Sequence, residues 1–369
     1  MKSYISAIGI ANPVHITSQG KIAEFMAKAL SMNNGEGTRL KALYRASGIR
    51  QRYSVLEDYG NDFDNLSFYP NNEQLEPFPS VAKRMQLYKE NALSLSVNAI
   101  RHCMEKVPDI QFEKEITHLI TVSCTGMYAP GIDIEIIQEL GLNTSIKRTA
   151  INFMGCYAAF NAIKIADAIC KADGNAKVLV VCVELCSIHF QKLKDEDNIL
   201  SNALFGDGAA AMLIQTDKAI SPVSLSLEQF HCDLHFEGKQ EMAWHIGDHG
   251  FEMKLSSYVP DIIKKGINIL TDRLLSSMRL SLEDISYYAI HPGGKRILEV
   301  IEEKLGMSKE DNRFAYEVLH QYGNMSSPTI LFVLESLMNS LKPGDQDKNI
   351  LSLAFGPGLT LESMLLKVS

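Results

Sequence analysis

The chain has 369 residues, 46% of them hydrophobic and 22% charged, with a formal net charge of −8. That composition is ordinary for a globular protein, and the length suits two similar domains or one large α/β unit. The acidic excess excludes a general nucleic-acid binder, which needs clustered Lys and Arg to neutralise phosphates. No apolar run approaches the roughly 18 residues that span a bilayer, so no membrane span and a cytoplasmic location are expected.

The N-terminal "MKSYISAIGIANPVH" has a short, broken apolar stretch without a small-residue cleavage site, and reads as a first β-strand rather than a leader. Residues 57–80, rich in Asn, Asp, Pro and aromatics, read as a long loop. Helical periodicity follows over 84–106, then a β-branched run at 117–123 predicts a buried strand. Next come a helix over 156–172, strands at 177–184 and 209–215, and a helix over 259–278. A strand at 286–291, helices over 295–306 and 327–341, and strands at 349–355 and 360–368 complete the series. Such alternation predicts an α/β protein with layered sheets.

The two halves echo one another. Each runs strand, helix, strand, then a Phe-Gly-x-Gly turn (205–208 and 355–358) feeding a last strand. Two copies of one α/β unit are expected, residues 1–218 and 219–369, split near 216–222.

The seven cysteines, at 103, 124, 156, 170, 182, 186 and 232, are odd in number and irregularly spaced, which argues against a disulfide framework. Cys182, Cys186 and His189 could suggest metal ligands, but Cys182 falls inside a strand pattern and no second ligand pair has zinc-type spacing. No metal site is expected.

Three residues invite a chemical reading. Cys156 stands at the head of an apolar, buried helix, where the helix dipole and unpaired N–H groups favour a thiolate; Gly155 before it permits close approach. A buried Cys is equally a small inert hydrophobe. His291 ends a strand and opens onto "PGG", where α/β folds place functional side chains, although a satisfied structural His fits the same position. Asn324 precedes an apolar helix that Ser326 or Ser327 could cap in its place, which leaves Asn324 either a cap or free for another task.

Taken together, "GC" at the head of the helix, "LFGDGAAA", "HPGGKRIL", "YGNMSSP" and "AFGPGLT", in that order, resemble the type III polyketide synthases, the chalcone-synthase-like enzymes of the thiolase superfamily. The resemblance covers almost the whole chain. It implies a thiolase-like duplicated α/β/α/β/α layered fold, a homodimer, and a Cys156–His291–Asn324 triad. Cys156, held as a thiolate by the imidazole, would take an acyl group from a CoA starter. His291 and Asn324 would then stabilise the enolate formed when malonyl-CoA loses CO2. Acyl-CoA and malonyl-CoA are the implied partners, and no cofactor is required.

The same resemblance implies gating aromatics at Phe205 and Phe251, cavity walls at Cys124, Ala354, Gly356 and Pro357, and a loop at Met127–Pro130 reaching toward a partner subunit. The acid-free stretch Arg39, Lys41, Arg45, Arg50, Arg52 suits CoA phosphates, with Arg39, Lys41, Arg45 and Arg50 the candidate ligands. Ala42 and Ala46 stand where plant members carry basic residues, so those contacts must be redistributed. Small residues Ala158, Ala159 and Ala162 lean toward fatty acyl starters and an alkylpyrone or alkylresorcinol product. Cys124 leans toward a naphthalene built from malonyl units alone. The rivals are a β-ketoacyl-carrier-protein synthase III-like enzyme making one condensation, a Cys–His thioester hydrolase, and an inactive scaffold.

Overall fold

A computed structural model describes residues 1–218 and 223–369. The split expected near 216–222 falls largely on residues 219–222, outside the described residues. Among the described residues there are thirteen strands: β1 (Tyr4–Ala11), β2 (His15–Ser18), β3 (Gln51–Ser54), β4 (His118–Ser123), β5 (Lys147–Asn152), β6 (Lys177–Leu185) and β7 (Asp207–Gln215) in the first half. In the second half are β8 (Leu225–Leu234), β9 (Met242–Gly247), β10 (Gly250–Leu255), β11 (Ile285–Ile290), β12 (Asn349–Gly356) and β13 (Thr360–Val368).

Nine of them make one sheet in the order β11-β12-β13-β8-β1-β7-β6-β4-β5. The seam between halves is the short antiparallel pairing of β1 with β8, Tyr4 opposite Ser226 and Ile5 opposite Leu225. On the first side β4 runs parallel to β5 and β6; on the second β11 runs parallel to β12. The echo between halves is thus an echo of strand order. It is imperfect at the Phe-Gly-x-Gly turns: the first follows a helix (Glu196–Leu204), the second follows a strand directly.

Because side chains alternate across a strand, each central strand feeds two cores. Val178, Val180 and Cys182 of β6, with Ile350 and Ala354 of β12 and Met364 and Leu366 of β13, pack around the helices Ala158–Ala172 and Thr329–Ser340. The alternate residues of β6, Leu179, Val181 and Val183, face the helices Gln19–Ala29 and Val81–Glu105. Those of β12 and β13, Leu351, Leu353, Leu361 and Leu365, face Val259–Ser277 and Lys295–Leu305. The result is five layers, α/β/α/β/α, with the central helix pair buried from both sides. Ala158, Ala159, Ala162 and Ala166 are fully buried: their small size lets the central helix sit close to both half-sheets.

The predicted strands and long helices are all present within a few residues at each end. Residues 57–80 form a loop organised by the buried Asp58, whose carboxylate accepts hydrogen bonds from the backbone N–H groups of Ser67, Phe68 and Tyr69. Among the described residues, no helix is long and apolar enough to cross a membrane.

Candidate active site

The site lies at the carboxyl ends of the parallel strands of both halves, where such sheets open a crevice. Cys124 follows β4, Cys156 follows β5, Cys186 follows β6, His291 follows β11 and Pro357 follows β12. Cys156 sits in a one-turn 3₁₀ segment, Gly155–Tyr157, that leads into the helix Ala158–Ala172. Gly155 has φ +78°, and a Cβ there would fall 2.3 Å from Pro357 Cδ. Only glycine combines that left-handed backbone with so close an approach. The "GC" pair therefore reflects packing of the nucleophile turn onto the β12–β13 turn.

Cys156 Sγ lies 3.9 Å from the side-chain amide of Asn324. Asn324 does not cap a helix: Thr329–Ser340 begins five residues later, behind Pro328, with no side-chain cap. Its Oδ1 accepts from the Ser326 N–H at 2.8 Å, and its Nδ2 donates to the Gly293 carbonyl at 3.4 Å. Its backbone is fixed as well, since its N–H donates to the Leu204 carbonyl and its carbonyl accepts from Gly206, both at 2.9 Å. That bridge ties Asn324 directly to Phe205. The amide is consequently held with its NH2 end toward the Gly293 turn and with both its oxygen and its nitrogen 3.9 Å from the sulfur.

His291 is 1% exposed, and among the described residues neither ring nitrogen has a hydrogen-bond partner. Its backbone N–H donates to Leu353, fixing the ring at the end of β11. Burial pushes the imidazole down to about 3. Burial also pushes the Cys156 thiol up to about 11, with hydrogen bonding from Ser326 and Asn324 offsetting part of that rise. Burial therefore favours the neutral thiol and neutral imidazole over the thiolate–imidazolium pair expected for Cys156 and His291.

Cys156, His291 and Asn324 line one small pocket together with Phe205, Phe355 and Pro357. Phe205, Met253 and Pro357 also border a second, larger cavity. Phe205 is thus placed between the two spaces, and Phe251 in the wall of the larger one. Cys124 lines the larger cavity, its sulfur accepting the Gly155 N–H at 2.9 Å; burial holds its thiol well above the ordinary range. Gly356 packs on Tyr157 and the Cys156 backbone. Ala354 departs from expectation: it is fully buried in the central core and borders neither cavity, because its position in β12 points it toward the helix layer.

Arg39, Lys41, Arg45 and Arg50 are all exposed, on or just after the helix Asn34–Ala46, with Lys41 3.7 Å from Glu24. The stem of Lys295, from "HPGGKRIL", lies over Gly48 beside them. Arg52 behaves differently. It is buried, donates to Gln19 and to the Phe205 carbonyl, and is unavailable to a surface phosphate. Cys182 faces the central core, and among the described residues no group of three or more His, Cys, Asp or Glu side chains is arranged to hold a metal ion.

Reading the residues alone misses Glu184. Fully buried at the end of β6, it accepts from the Cys124 N–H (2.9 Å), Thr125 Oγ1 (2.7 Å) and Ser327 Oγ (2.7 Å). It so joins the Cys124 turn to the Asn324 segment. The available signal was an acid closing the otherwise apolar run "KVLVVCVE".

Comparison with known proteins fits this geometry. The family described as chalcone and stilbene synthases matches through its N-terminal domain at residues 1–218 and its C-terminal domain at residues 229–369. The "Alpha-pyrone synthesis polyketide synthase-like Pks18" of Mycobacterium tuberculosis is 31% identical over 367 residues, covering 99% of this chain and 91% of that one. A "Putative chalcone synthase" of Bacillus subtilis is 29% identical over 373 residues, covering 98% of each chain. Among solved structures, the C-terminal type III polyketide synthase domain of the Dictyostelium hybrid Steely1 superposes with a TM-score of 0.90 at 27% identity, over 100% of this chain and 99% of that one. PKS-I from the brown alga Ectocarpus siliculosus gives 0.90 at 30% identity, over 99% and 98%. The chain belongs to the chalcone and stilbene synthase family, and is a thiolase-fold type III polyketide synthase, an acyltransferase of the decarboxylative Claisen class.

Proposed function

We propose that this enzyme loads an acyl-CoA starter on Cys156, extends it repeatedly with malonyl-CoA, and releases a cyclised product. The observation that carries the reading is the convergence of Cys156, His291 and Asn324 on one pocket that shares Phe205 and Pro357 with a larger cavity. In loading, the Cys156 proton passes to His291 as Sγ attacks the starter thioester, so the pair never gains net charge in its buried pocket. The departing CoA sulfur then recovers that proton from the imidazolium. His291, neutral again, and the Asn324 amide donate to the malonyl thioester oxygen as CO2 leaves, and the resulting enolate attacks the Cys156 thioester. Sγ is released, and the lengthened acyl-CoA can return to it. The bonds broken are thioester C–S bonds and the malonyl C–CO2 bond, the bonds made are a thioester on Cys156 and a new carbon–carbon bond, and every electron pair comes from the substrates, so the scheme calls on no redox cofactor.

An alkylpyrone is the favoured product. The M. tuberculosis relative, 31% identical over 367 residues, is named for alpha-pyrone synthesis. CoA phosphates would meet Arg39, Lys41, Arg45 and Arg50 at the rim. A homodimer is supported by the edge strand β5, exposed along its length except at Ile151, and by the 41% exposed Met127 on the neighbouring loop. The test is incubation with malonyl-CoA and acyl-CoAs of graded length, with products followed by mass spectrometry. Masses stepping by two-carbon ketide units, absent with Cys156→Ala, are expected. Free acid plus CoA alone, or products only after a carrier protein is added, would overturn the reading in favour of a hydrolase or a single-condensation enzyme.

A further inference from the structure

His189 follows β6 in the 3₁₀ turn Cys186–His189, at the wall of the larger cavity and outside the group around Cys156. Its imidazole is 5% exposed and both nitrogens are occupied by backbone. Nε2 is 2.7 Å from the Thr125 carbonyl, and Nδ1 accepts the Phe251 N–H at 2.9 Å. A carbonyl can only accept and an amide N–H can only donate, so the proton must reside on Nε2 and Nδ1 must be bare. The ring also stacks on the Phe251 side chain, centroids 4.3 Å apart and planes within 8°, and meets Trp244 edge-on at 5.8 Å. Trp244 in turn donates its indole N–H to the Cys124 carbonyl at 2.7 Å.

Phe251 and Trp244 belong to opposite strands of the β9–β10 hairpin, which is separate from the nine-stranded sheet. Such a two-stranded ribbon has little stability of its own and takes its position from what it packs on. Here it is pinned at two points to the Cys124–Thr125 turn, through His189 and through Trp244. We infer that His189 is a positioning residue: it fixes the β9–β10 hairpin, and with it the aromatic wall presented by Phe251, and thereby sets which acyl chains the cavity accepts. The inference rests on the cavity's being the polyketide chamber proposed above. Burial, with Arg84 nearby, pushes the imidazole down to about 3, so the clamp keeps one protonation state throughout the working range.

Trp244 is the chain's single tryptophan, so its emission reports this hairpin alone. In His189→Leu, which fills the space without polar atoms, the emission should shift to the red and become more open to acrylamide. The ratio of kcat/KM between long and short starters should move by about tenfold or more, the scale on which reshaped apolar pockets discriminate. Cys156 should still be alkylated by iodoacetamide. If His189 acts through Phe251, then His189→Leu adds little to the starter profile of Phe251→Ala; additive effects would overturn the mechanism. An unchanged emission and an unchanged starter ratio would overturn the inference itself.

Should His189→Leu fail to fold, ¹⁵N shifts of the wild-type ring decide the matter. A protonated Nε2 and bare Nδ1 that do not titrate between pH 5 and 8 are expected, and a titrating ring or the opposite tautomer would sink the clamp. If the wild-type enzyme makes no ketides, the proposed function fails, while the emission and ¹⁵N readouts still judge the clamp.

Discussion

Two histidines line the two neighbouring cavities, His189 the larger and His291 the one that holds Cys156, and they are built in opposite ways. Both are buried, and both imidazoles are pushed down to about 3 by burial. His189 has both nitrogens engaged by backbone groups, whereas among the described residues His291 has neither engaged. A buried polar group left without a protein partner costs stability, on the order of 1–3 kcal/mol. Among the described residues Tyr44, Ser96, Thr271 and Ser352 share that state away from the site, so what singles out His291 is its place beside Cys156 and Asn324. On the roles proposed above, the engaged ring holds a wall, and the open ring is left for a substrate oxygen or the proton of Cys156. Equal burial and equal charge state therefore distinguish nothing, and the hydrogen-bond ledger distinguishes the roles.

The largest test of this contrast is His291→Ala. Loss of a positioned proton-transfer and oxyanion group should lower kcat by about 10²- to 10⁴-fold while leaving Trp244 emission unchanged. A changed emission with full activity would reverse the two assignments. Asn324→Asp comes next. It keeps the acceptor for the Ser326 N–H but removes the donor near Cys156, and should cost about 10²- to 10³-fold in kcat. Recovery of more than about a tenth of wild-type rate would show that the amide only shapes the segment.

A third test concerns the thiol. With Cys156 raised to about 11 in the free enzyme, alkylation by iodoacetamide should rise about tenfold per pH unit between 7 and 9. A rate already flat below pH 7 would mean that a thiolate–imidazolium pair exists before substrate binds.

How much of this was legible beforehand depends on contact range. Strands such as 360–368 were found with their limits intact because both faces are buried and the apolar run ends in turns. Cys156, His291 and Asn324 could be singled out because each sits in a short local motif at an element end, and the structure brings the three to one pocket. β8, with the mixed pattern "LSLEQFHCDL", and the β9–β10 hairpin were missed, since their half-exposed residues carry neither a clean period of two nor an apolar run. Phe251 was placed in the cavity through resemblance, but its clamp was invisible: the Phe251 N–H and the Thr125 carbonyl lie more than sixty residues from His189 on either side. Ala354 was misassigned for a related reason, because which face of β12 it occupies follows from strand pairing and not from the neighbouring glycines.

The smallest expected effect sharpens the comparison through stability. Both imidazoles fall from the ordinary 6.5 to about 3 on folding, so between those values the unfolded chain binds more protons. Their contribution is complete above about pH 6.5 and is lost as pH falls through the window, at roughly 1.4 kcal/mol per pH unit for each ring. Asp207, pushed up to about 6 by burial, titrates nearby with the opposite sign and blunts the wild-type slope. Comparing urea unfolding of wild type and His189→Leu at pH 6.5, 5.75 and 5.0 cancels that term. The variant should lose less stability over the interval, by about 1.4 kcal/mol per unit, and His291→Ala should show the same reduction. Identical slopes for His189→Leu and wild type would mean that His189 takes up its proton in the folded state, which its bond from the Phe251 N–H forbids.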